Sequence, residues 1–81
     1  MKDKIRQIVK ERGGIPLPLE DIHNQTDLYR AGMSSYASVV LMIALENEFG
    51  VEFPDGMLSR DTFQNIDGIA SALESVMQVQ Q

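Results

Sequence analysis

Two adjacent serines, Ser34 and Ser35, are the residues whose position best suits chemistry. They follow a Gly-Met pair and begin an apolar helical pattern in the stretch AGMSSYASVVLMI, positions 31–43. Ser34 is predicted to be the N-cap, because its hydroxyl can accept a hydrogen bond from a backbone N–H of the first turn. Ser35 is then an exposed residue of that turn, where a helix N-terminus would stabilise a phosphate. Taken alone, the pair is also typical of two ordinary capping residues.

The helix that follows the serines is unusually apolar, since Ser38 is the only polar residue between Tyr36 and Leu45. A domain of 81 residues cannot surround such a helix completely, so part of its apolar surface must face solvent. At 3.6 residues per turn, one face suits the core and the opposite face is a candidate interaction strip. A dimer contact or cover by the preceding loop is the alternative. The predicted partner-binding set comprises Met33, Tyr36, Val39, Val40 and Ile43.

Other residues that could support catalysis or metal binding are few. The chain has no Cys, which excludes disulfides, thiolate metal sites and a cysteine nucleophile. His23 is the only histidine and lacks a Ser or Cys partner at a recognisable spacing. Asp21, Asn24 and Asp27 lack the glycine and terminal glutamate spacing of a calcium loop. These patterns predict no metal site. Because Ser35 has no candidate base to activate it, we also do not predict an enzyme.

Length and charge predict a single domain, 1–81, with an acidic body. The net charge is −5, and from Gly13 onward only Arg30 and Arg60 oppose the acidic residues. This balance disfavours nucleic acid and anionic membranes and favours basic protein partners, although simple solubility is an equal explanation. The N-terminal stretch MKDKIRQIVKERGG lacks the apolar core of a signal peptide, and no apolar run approaches membrane-spanning length. We therefore expect a cytoplasmic protein.

The elements that must position the serines are predicted to be all helical. An amphipathic first helix ends at Gly13, a long Pro-containing loop follows, and the second helix runs from about Ser35 to Phe49. VEFPDGML permits one short helical turn, and a last helix begins with Thr62 as its predicted N-cap. The polar end, about 78–81, is predicted to fray. The result is a small bundle of three main helices with a short one before the last.

The stretch DLYRAGMSSYASVVLMIALENEFGVEFP resembles the acyl carrier and peptidyl carrier protein family. That family has an Asp-Leu-x-x-x-Gly-x-Asp-Ser-Leu motif at the head of its second helix, followed by an apolar helix that ends in Leu-Glu-x-x-Phe. The resemblance extends over about residues 1–77. It is specific because two sets of residues match the family at the same spacing. The first set is Asp27, Leu28, Gly32, Met33 and Ser35, and the second is Ala44, Leu45, Glu46, Glu48, Phe49, Gly50, Val51, Phe53 and Pro54.

The resemblance implies a four-helix, acyl-carrier-protein-like bundle in which Ser35 receives 4′-phosphopantetheine from coenzyme A through a phosphopantetheinyl transferase. The chain would then be a phosphoprotein whose attached arm supplies the thiol that it lacks and holds an acyl group as a thioester. In this family the second helix docks the partner enzymes, namely a loading ligase and a downstream transferase. The resemblance thus implies a monomeric carrier that presents cargo and catalyses nothing itself.

Two departures from the family motif narrow the prediction. Ser34 stands where the family usually has Asp, and Tyr36 stands where it has Leu. Acidic residues common along the second helix are replaced by Ala37 and Val40, which argues against a general fatty-acid carrier. The GMSS opening is similar to stand-alone bacterial carriers loaded by amino acid:carrier protein ligases. The sequence does not specify the cargo, and an unmodified acidic adaptor that binds a partner through the apolar face is the alternative function.

Overall fold

A computed structural model describes residues 1–79 of the chain and shows three α-helices. They are α1 (Lys2–Arg12), α2 (Ser35–Phe49) and α3 (Ile66–Val79), with single turns of 3-10 helix at Leu19–Asp21 and Asp55–Met57. No strand occurs within residues 1–79. The predicted all-α class is confirmed, including three main helices and a short turn before the last one. The turn at Leu19–Asp21 was not predicted, because two prolines beside it argue against regular structure.

The core forms where the apolar stripes of the three helices meet. Leu41 and Leu45, one turn apart on α2, are fully buried. The matching stripes of α1 and α3 follow the i, i+3, i+4 spacing that places side chains on one helix face. No polar or charged side chain in the described part of the chain is buried. The apolar stripes of α1 and α3 consist of Ile5, Ile8 and Val9 on α1 and Ile66, Ile69, Ala70, Leu73 and Val76 on α3.

The loop between α1 and α2 packs onto this core, as its scattered apolar residues predict. Ile15, Ile22 and Leu28 are buried in it. Arg6 of α1 fastens the loop from the side, because its Nε donates to the Ile22 carbonyl at 2.8 Å and its Nη2 donates to Asn24. These hydrogen bonds hold the loop against α1 ahead of the residues that lead into α2.

The C-terminus of α2 is closed by the predicted glycine. Gly50 has φ 64, the left-handed conformation common at helix C-termini, and its N–H donates to the Glu46 carbonyl. The Glu46 carboxylate in turn accepts the Phe53 N–H at 2.8 Å. Phe53 then contacts Phe63 edge to face, with ring centroids 5.5 Å apart. These contacts hold the chain after α2 against the approach to α3.

The start of α3 differs from the sequence prediction of Thr62 as its N-cap. The helix begins at Ile66, and the Asn65 side chain accepts the Gly68 N–H at 2.7 Å, which is the capping contact. Thr62 instead shares a 3.3 Å hydrogen bond with Ser59 in the preceding turns. Asn65 rather than Thr62 is the N-cap because the chain up to Gln64 is held in a non-helical conformation, in which the Gln64 carbonyl accepts the Leu28 N–H.

The predicted frayed tail, about 78–81, overlaps the end of α3, which extends to Val79. The rest of that tail, positions 80–81, lies outside the described residues.

Candidate functional site

A tight turn places the two serines at the head of α2. Gly32 has φ 125, and a Cβ on it would lie 3.0 Å from the ring of Pro16. The turn is closed by a hydrogen bond from the Met33 N–H to the Leu28 carbonyl at 2.9 Å. Glycine is therefore required here both by conformation and by the close approach of the loop. The chain leaves this turn in an extended conformation and enters the helix at Ser34.

Ser34 is the N-cap of α2. Its φ and ψ are −79° and 166°, and its Oγ accepts the Ala37 N–H at 3.0 Å. Its hydroxyl is therefore committed to the backbone of the first turn. The usual acidic residue at this place would have supplied the same contact with a negative charge, whereas Ser34 supplies it without charge.

Ser35 is the first residue of α2, and its side chain is exposed. Its carbonyl accepts the Ser38 hydroxyl at 2.7 Å, while its own hydroxyl makes no hydrogen bond with any residue from 1 to 79. The first turn of α2 carries no acidic residue. A phosphate ester on Ser35 would thus lie in the positive field of the helix N-terminus with no carboxylate in that turn to oppose it.

The predicted apolar strip is exposed along α2. Tyr36 is 80% exposed, Val39 is 51% exposed and Ile43 is 48% exposed. Val40 lies at the edge of this strip and is half-buried. Three large apolar side chains side by side on one helix face, beside an exposed hydroxyl, are typical of a surface that contacts another protein.

The prediction that Met33 belongs to the partner-binding set is wrong, because its side chain is buried, with 3% exposure. The backbone turn at Gly32 and the hydrogen bond from Met33 to Leu28 direct the side chain inward, into the cluster that includes Leu28. Met33 therefore fills the core beneath the serines. The sequence could not distinguish these two placements, because methionine suits both a core gap and a binding surface.

The acidic residues near the end of α2 are engaged within the chain. Glu46 accepts the Phe53 N–H, and Glu48 pairs with Lys4 of α1 at 3.5 Å. Between Tyr36 and Ile43, the stretch that carries the apolar strip, the sequence has no acidic residue. A partner would recognise this part of α2 by shape and apolar contact.

Asp27 connects the loop before the serines to the segment before α3. Its carboxylate accepts the Arg30 N–H at 3.1 Å and the Gln64 amide at 3.1 Å. The backbone hydrogen bond from Arg30 and the side-chain hydrogen bond from Gln64 lower the pKa of Asp27 below its ordinary value. Nothing in the sequence pointed to the contact between Asp27 and Gln64, because the two residues lie 37 positions apart.

Other candidate residues take no part in this site. Tyr29 and Arg60 form a pair that the sequence did not reveal, with the guanidinium 4.0 Å from the ring centroid. His23 lies in the loop, where its backbone N–H donates to the Thr26 hydroxyl. Within the described chain, no group of three His, Cys, Asp or Glu residues could hold a metal ion. None of the helices in that part is long and apolar enough to cross a membrane.

The sequence matches a family model described as "Phosphopantetheine attachment site" over residues 3–73. It is also 40% identical over 77 residues to a protein of Agrobacterium fabrum (strain C58) named "Aminoacyl carrier protein". That match covers 95% of this chain and 93% of the relative. The family match spans most of the chain and includes both serines, the apolar strip and most of α3.

Solved structures with the same fold include a carrier protein from Agrobacterium tumefaciens. It was crystallised with AMP and an engineered Bradyrhizobium japonicum glycine:[carrier protein] ligase, and it matches this chain with a TM-score of 0.87 and 42% identity. The match covers 91% of this chain and 99% of the other. A solution structure of an Agrobacterium tumefaciens protein matches this chain with a TM-score of 0.79 and 39% identity. That match covers 99% of this chain and 96% of the other.

Proposed function

The chain belongs to the phosphopantetheine attachment site family, and from that premise we propose that it is an aminoacyl carrier with the prosthetic group on Ser35. The proposed loading enzyme is an amino acid:carrier protein ligase. The aminoacyl part is supported by the 40% identity to a relative named as an aminoacyl carrier protein. It is supported further by the similarity to a carrier protein crystallised with an engineered glycine:[carrier protein] ligase.

The observation that carries the assignment of Ser35 is the division of roles between the two serines. Ser34 uses its hydroxyl to cap α2, with the Ala37 N–H at 3.0 Å. Ser35 presents its hydroxyl to solvent one residue later, at the positive end of the helix. Modification of Ser34 would remove a helix cap, whereas modification of Ser35 leaves every hydrogen bond described for this turn in place.

The chain's residues fit 4′-phosphopantetheine through this exposed hydroxyl and the uncompensated helix N-terminus. When attached, the group supplies a thiol on a flexible arm, which holds an aminoacyl group as a thioester. The helix N-terminus stabilises the phosphate charge. The rigid turn at Gly32, the Ser34 cap and the buried Met33 fix the direction in which Ser35 points.

The proposed role of the chain is to hold and present cargo, and the chemistry belongs to its partners. A phosphopantetheinyl transferase attaches the group, the ligase loads it, and a downstream transferase receives the aminoacyl group. Tyr36, Val39 and Ile43, with Val40 at their edge, form the proposed docking strip for these enzymes. The proposal places the chain in the cytoplasm, as a monomer that its partner enzymes bind in turn.

The attachment site is tested by the intact mass of the chain after incubation with coenzyme A and a promiscuous phosphopantetheinyl transferase. The wild-type chain and the Ser34→Ala variant are expected to gain one phosphopantetheine group, while Ser35→Ala gains none. Ser34→Ala is the matched control, since it removes the neighbouring hydroxyl. Modification that depends on Ser34 would refute the assignment, and an unmodified wild-type chain would favour the unmodified adaptor.

The cargo is tested by offering the holo-chain a panel of amino acids with ATP and the Bradyrhizobium japonicum glycine:[carrier protein] ligase. Thioester formation is measured as a hydroxylamine-sensitive mass increase. We expect aminoacylation of the holo-chain, with the apo-chain as the control that remains uncharged. A holo-chain that accepts fatty acyl groups from an acyl-loading enzyme but no amino acid from the ligase would contradict the aminoacyl assignment.

A further inference from the structure

Gln64, in the segment before α3, binds the loop ahead of the serines through two hydrogen bonds. Its backbone carbonyl accepts the Leu28 N–H at 2.8 Å, and its side-chain amide donates to the Asp27 carboxylate at 3.1 Å. Asp27 and Leu28 are adjacent, so a single residue binds both members of the pair. The side-chain bond is also charge-assisted, since its acceptor is a carboxylate. Gln64 is therefore a two-point attachment between distant parts of the chain.

The two residues that Gln64 binds also close the turn that leads to the serines. The Leu28 carbonyl accepts the Met33 N–H at 2.9 Å, and the Asp27 carboxylate accepts the Arg30 N–H at 3.1 Å. Both hydrogen bonds extend from the pair that Gln64 holds to a later residue of the turn. A displacement of Gln64 would consequently move the acceptors on which the conformation of the turn depends.

Further contacts join the same two segments on either side of Gln64. The Arg60 guanidinium lies 4.0 Å from the centroid of the Tyr29 ring. Beyond Gln64, the Asp67 N–H donates to the Asn24 carbonyl at 3.1 Å. The segment before α3 therefore lies along the loop before α2, with Gln64 between the two outer contacts.

The beginning of α2 has few buried side chains of its own. No residue from Ser34 to Val40 is buried, and the first fully buried residue of the helix is Leu41. Met33, just before the helix, is buried and belongs to the turn. A helix end with few buried contacts opens at a low free-energy cost unless something else holds it. The position of Ser35 therefore depends on the turn that precedes it.

We propose that Gln64 is a positioning residue for the modification of Ser35. By binding Asp27 and Leu28, it holds the turn from which α2 begins, and the turn holds the hydroxyl that reacts. In the modification, the Ser35 oxygen bonds to the phosphorus that carries the pantetheine arm. The pyrophosphate bond of coenzyme A breaks, its nucleoside bisphosphate leaves, and the hydroxyl proton passes to a base of the transferase. This inference rests on the proposed function and names a residue that acts on its site through the fold.

The test measures the rate of modification by coenzyme A and a promiscuous phosphopantetheinyl transferase, with the apo-chain as the varied substrate. Gln64→Glu keeps the size of the side chain, removes its amide donor and places a second carboxylate opposite Asp27. We expect kcat to fall about tenfold while KM for the chain stays within about twofold, because a chain with misaligned Ser35 still binds but reacts slowly. The substitution leaves every exposed side chain of α2 unchanged.

Exchanging the donor and the acceptor provides a rescue. In the double variant Asp27→Asn with Gln64→Glu, the new amide at position 27 can donate to the new carboxylate at position 64. The amide oxygen at position 27 can still accept the Arg30 N–H. We expect kcat to return to within about threefold of the wild-type value, since the two substitutions compensate each other across one contact.

Asn65→Ala is the matched control for a general loss of stability. It removes the capping contact with the Gly68 N–H at the next residue and leaves both Gln64 hydrogen bonds in place. Thermal unfolding should show a less stable chain, whereas kcat should stay within about twofold of the wild-type value.

Amide hydrogen exchange of the apo-chain, followed by NMR, tests the positioning without the transferase. In Gln64→Glu, the Met33 and Ser38 amides, which bond to Leu28 and Ser34, should exchange at least about tenfold faster than in the wild type. The Gly50 amide at the far end of α2 should keep its rate, and the double variant should restore slow exchange at the turn.

The inference and the proposed function fail in different ways. Equal kcat for the wild type and Gln64→Glu would overturn the inference while the proposed function stands. A fall in kcat that Asn65→Ala shares, or that the double variant does not reverse, would overturn it as well. A wild-type chain that is not modified on Ser35 would refute the proposed function and this inference together, whatever the exchange rates show.

Discussion

The two faces of α2 are similar in composition and opposite in environment. Leu41 and Leu45 are fully buried in the core, while Val39 and Ile43 on the other face are about half exposed. Apolar character therefore does not decide which face is core in this helix. The position of the neighbouring helices decides it, and the apolar residues left over form a surface available to partners.

The largest expected effect sharpens the contrast between the faces. Leu45→Ala should reduce the free energy of unfolding by about 2–5 kcal/mol, since it leaves a cavity in the core. Ile43→Ala should cost less than about 1 kcal/mol, because the side chain is half exposed and alanine is the better helix former. Urea unfolding of the two variants provides the comparison. Equal losses would mean that Ile43 is buried in solution, either by a second copy or by the loop.

A second contrast separates the two serines by their contribution to stability. Ser34→Ala should lower the free energy of unfolding by about 1 kcal/mol, through loss of the hydrogen bond to Ala37. Ser35→Ala should change it by less than about 0.5 kcal/mol, because the Ser35 hydroxyl bonds to no described residue. Chemical denaturation of the apo-chains measures both. A larger loss for Ser35→Ala would exchange the roles that we assign to the serines.

Asp27 provides a pH-dependent contrast between the anchored loop and the exposed face. Its pKa is lowered in the folded chain, so its ionised form adds stability above about pH 4 that is lost as pH falls through the folded pKa. Asp27→Asn should therefore be less stable than the wild type at neutral pH, and the difference should shrink in acid. Urea unfolding at several pH values tests this. Glu74→Gln, at an exposed position of α3, is the control for the removal of one carboxylate elsewhere on the chain.

The smallest expected effect concerns the N-terminus of α2, where the exposed face begins. A phosphate ester on Ser35 should stabilise the holo-chain by about 0.3–1 kcal/mol relative to the apo-chain, and added salt should reduce the gain. Thermal unfolding of both forms at low and high salt measures it. A holo-chain that is less stable than the apo-chain would show that the group disturbs the first turn.

Much of the fold could be predicted from local patterns. Helix α2 was predicted from Ser35 to Phe49 with Gly50 as its stop, because the cap, the apolar period and the terminal glycine all act within a few residues. The predicted start of α3 was wrong by several residues. Thr62 and Asn65 are both good capping residues, and the choice between them depends on the contact of Gln64 with Leu28 across the fold.

The site also has some features that local patterns predicted and others that they did not. The residue types around Ser34 and Ser35 predicted a cap followed by an exposed hydroxyl, since an N-cap interaction extends over only three residues. Met33 could not be placed, because its direction depends on how the turn at Gly32 meets Pro16 and Leu28. The stacking of Arg60 on Tyr29 and the hydrogen bond between Asp27 and Gln64 also join distant segments and left no local signal.

Helix periods, the cap of α2 and its terminal glycine follow from residue order, because they are made by neighbours within one or two turns of the chain. The family motif likewise depends only on residue types and their spacing. The tertiary arrangement alone decided which apolar face of α2 stays in water and where Met33 points. Each of these depends on which distant segment packs against the helix, and side chains that meet only after folding carry no record of the contact in their order along the chain.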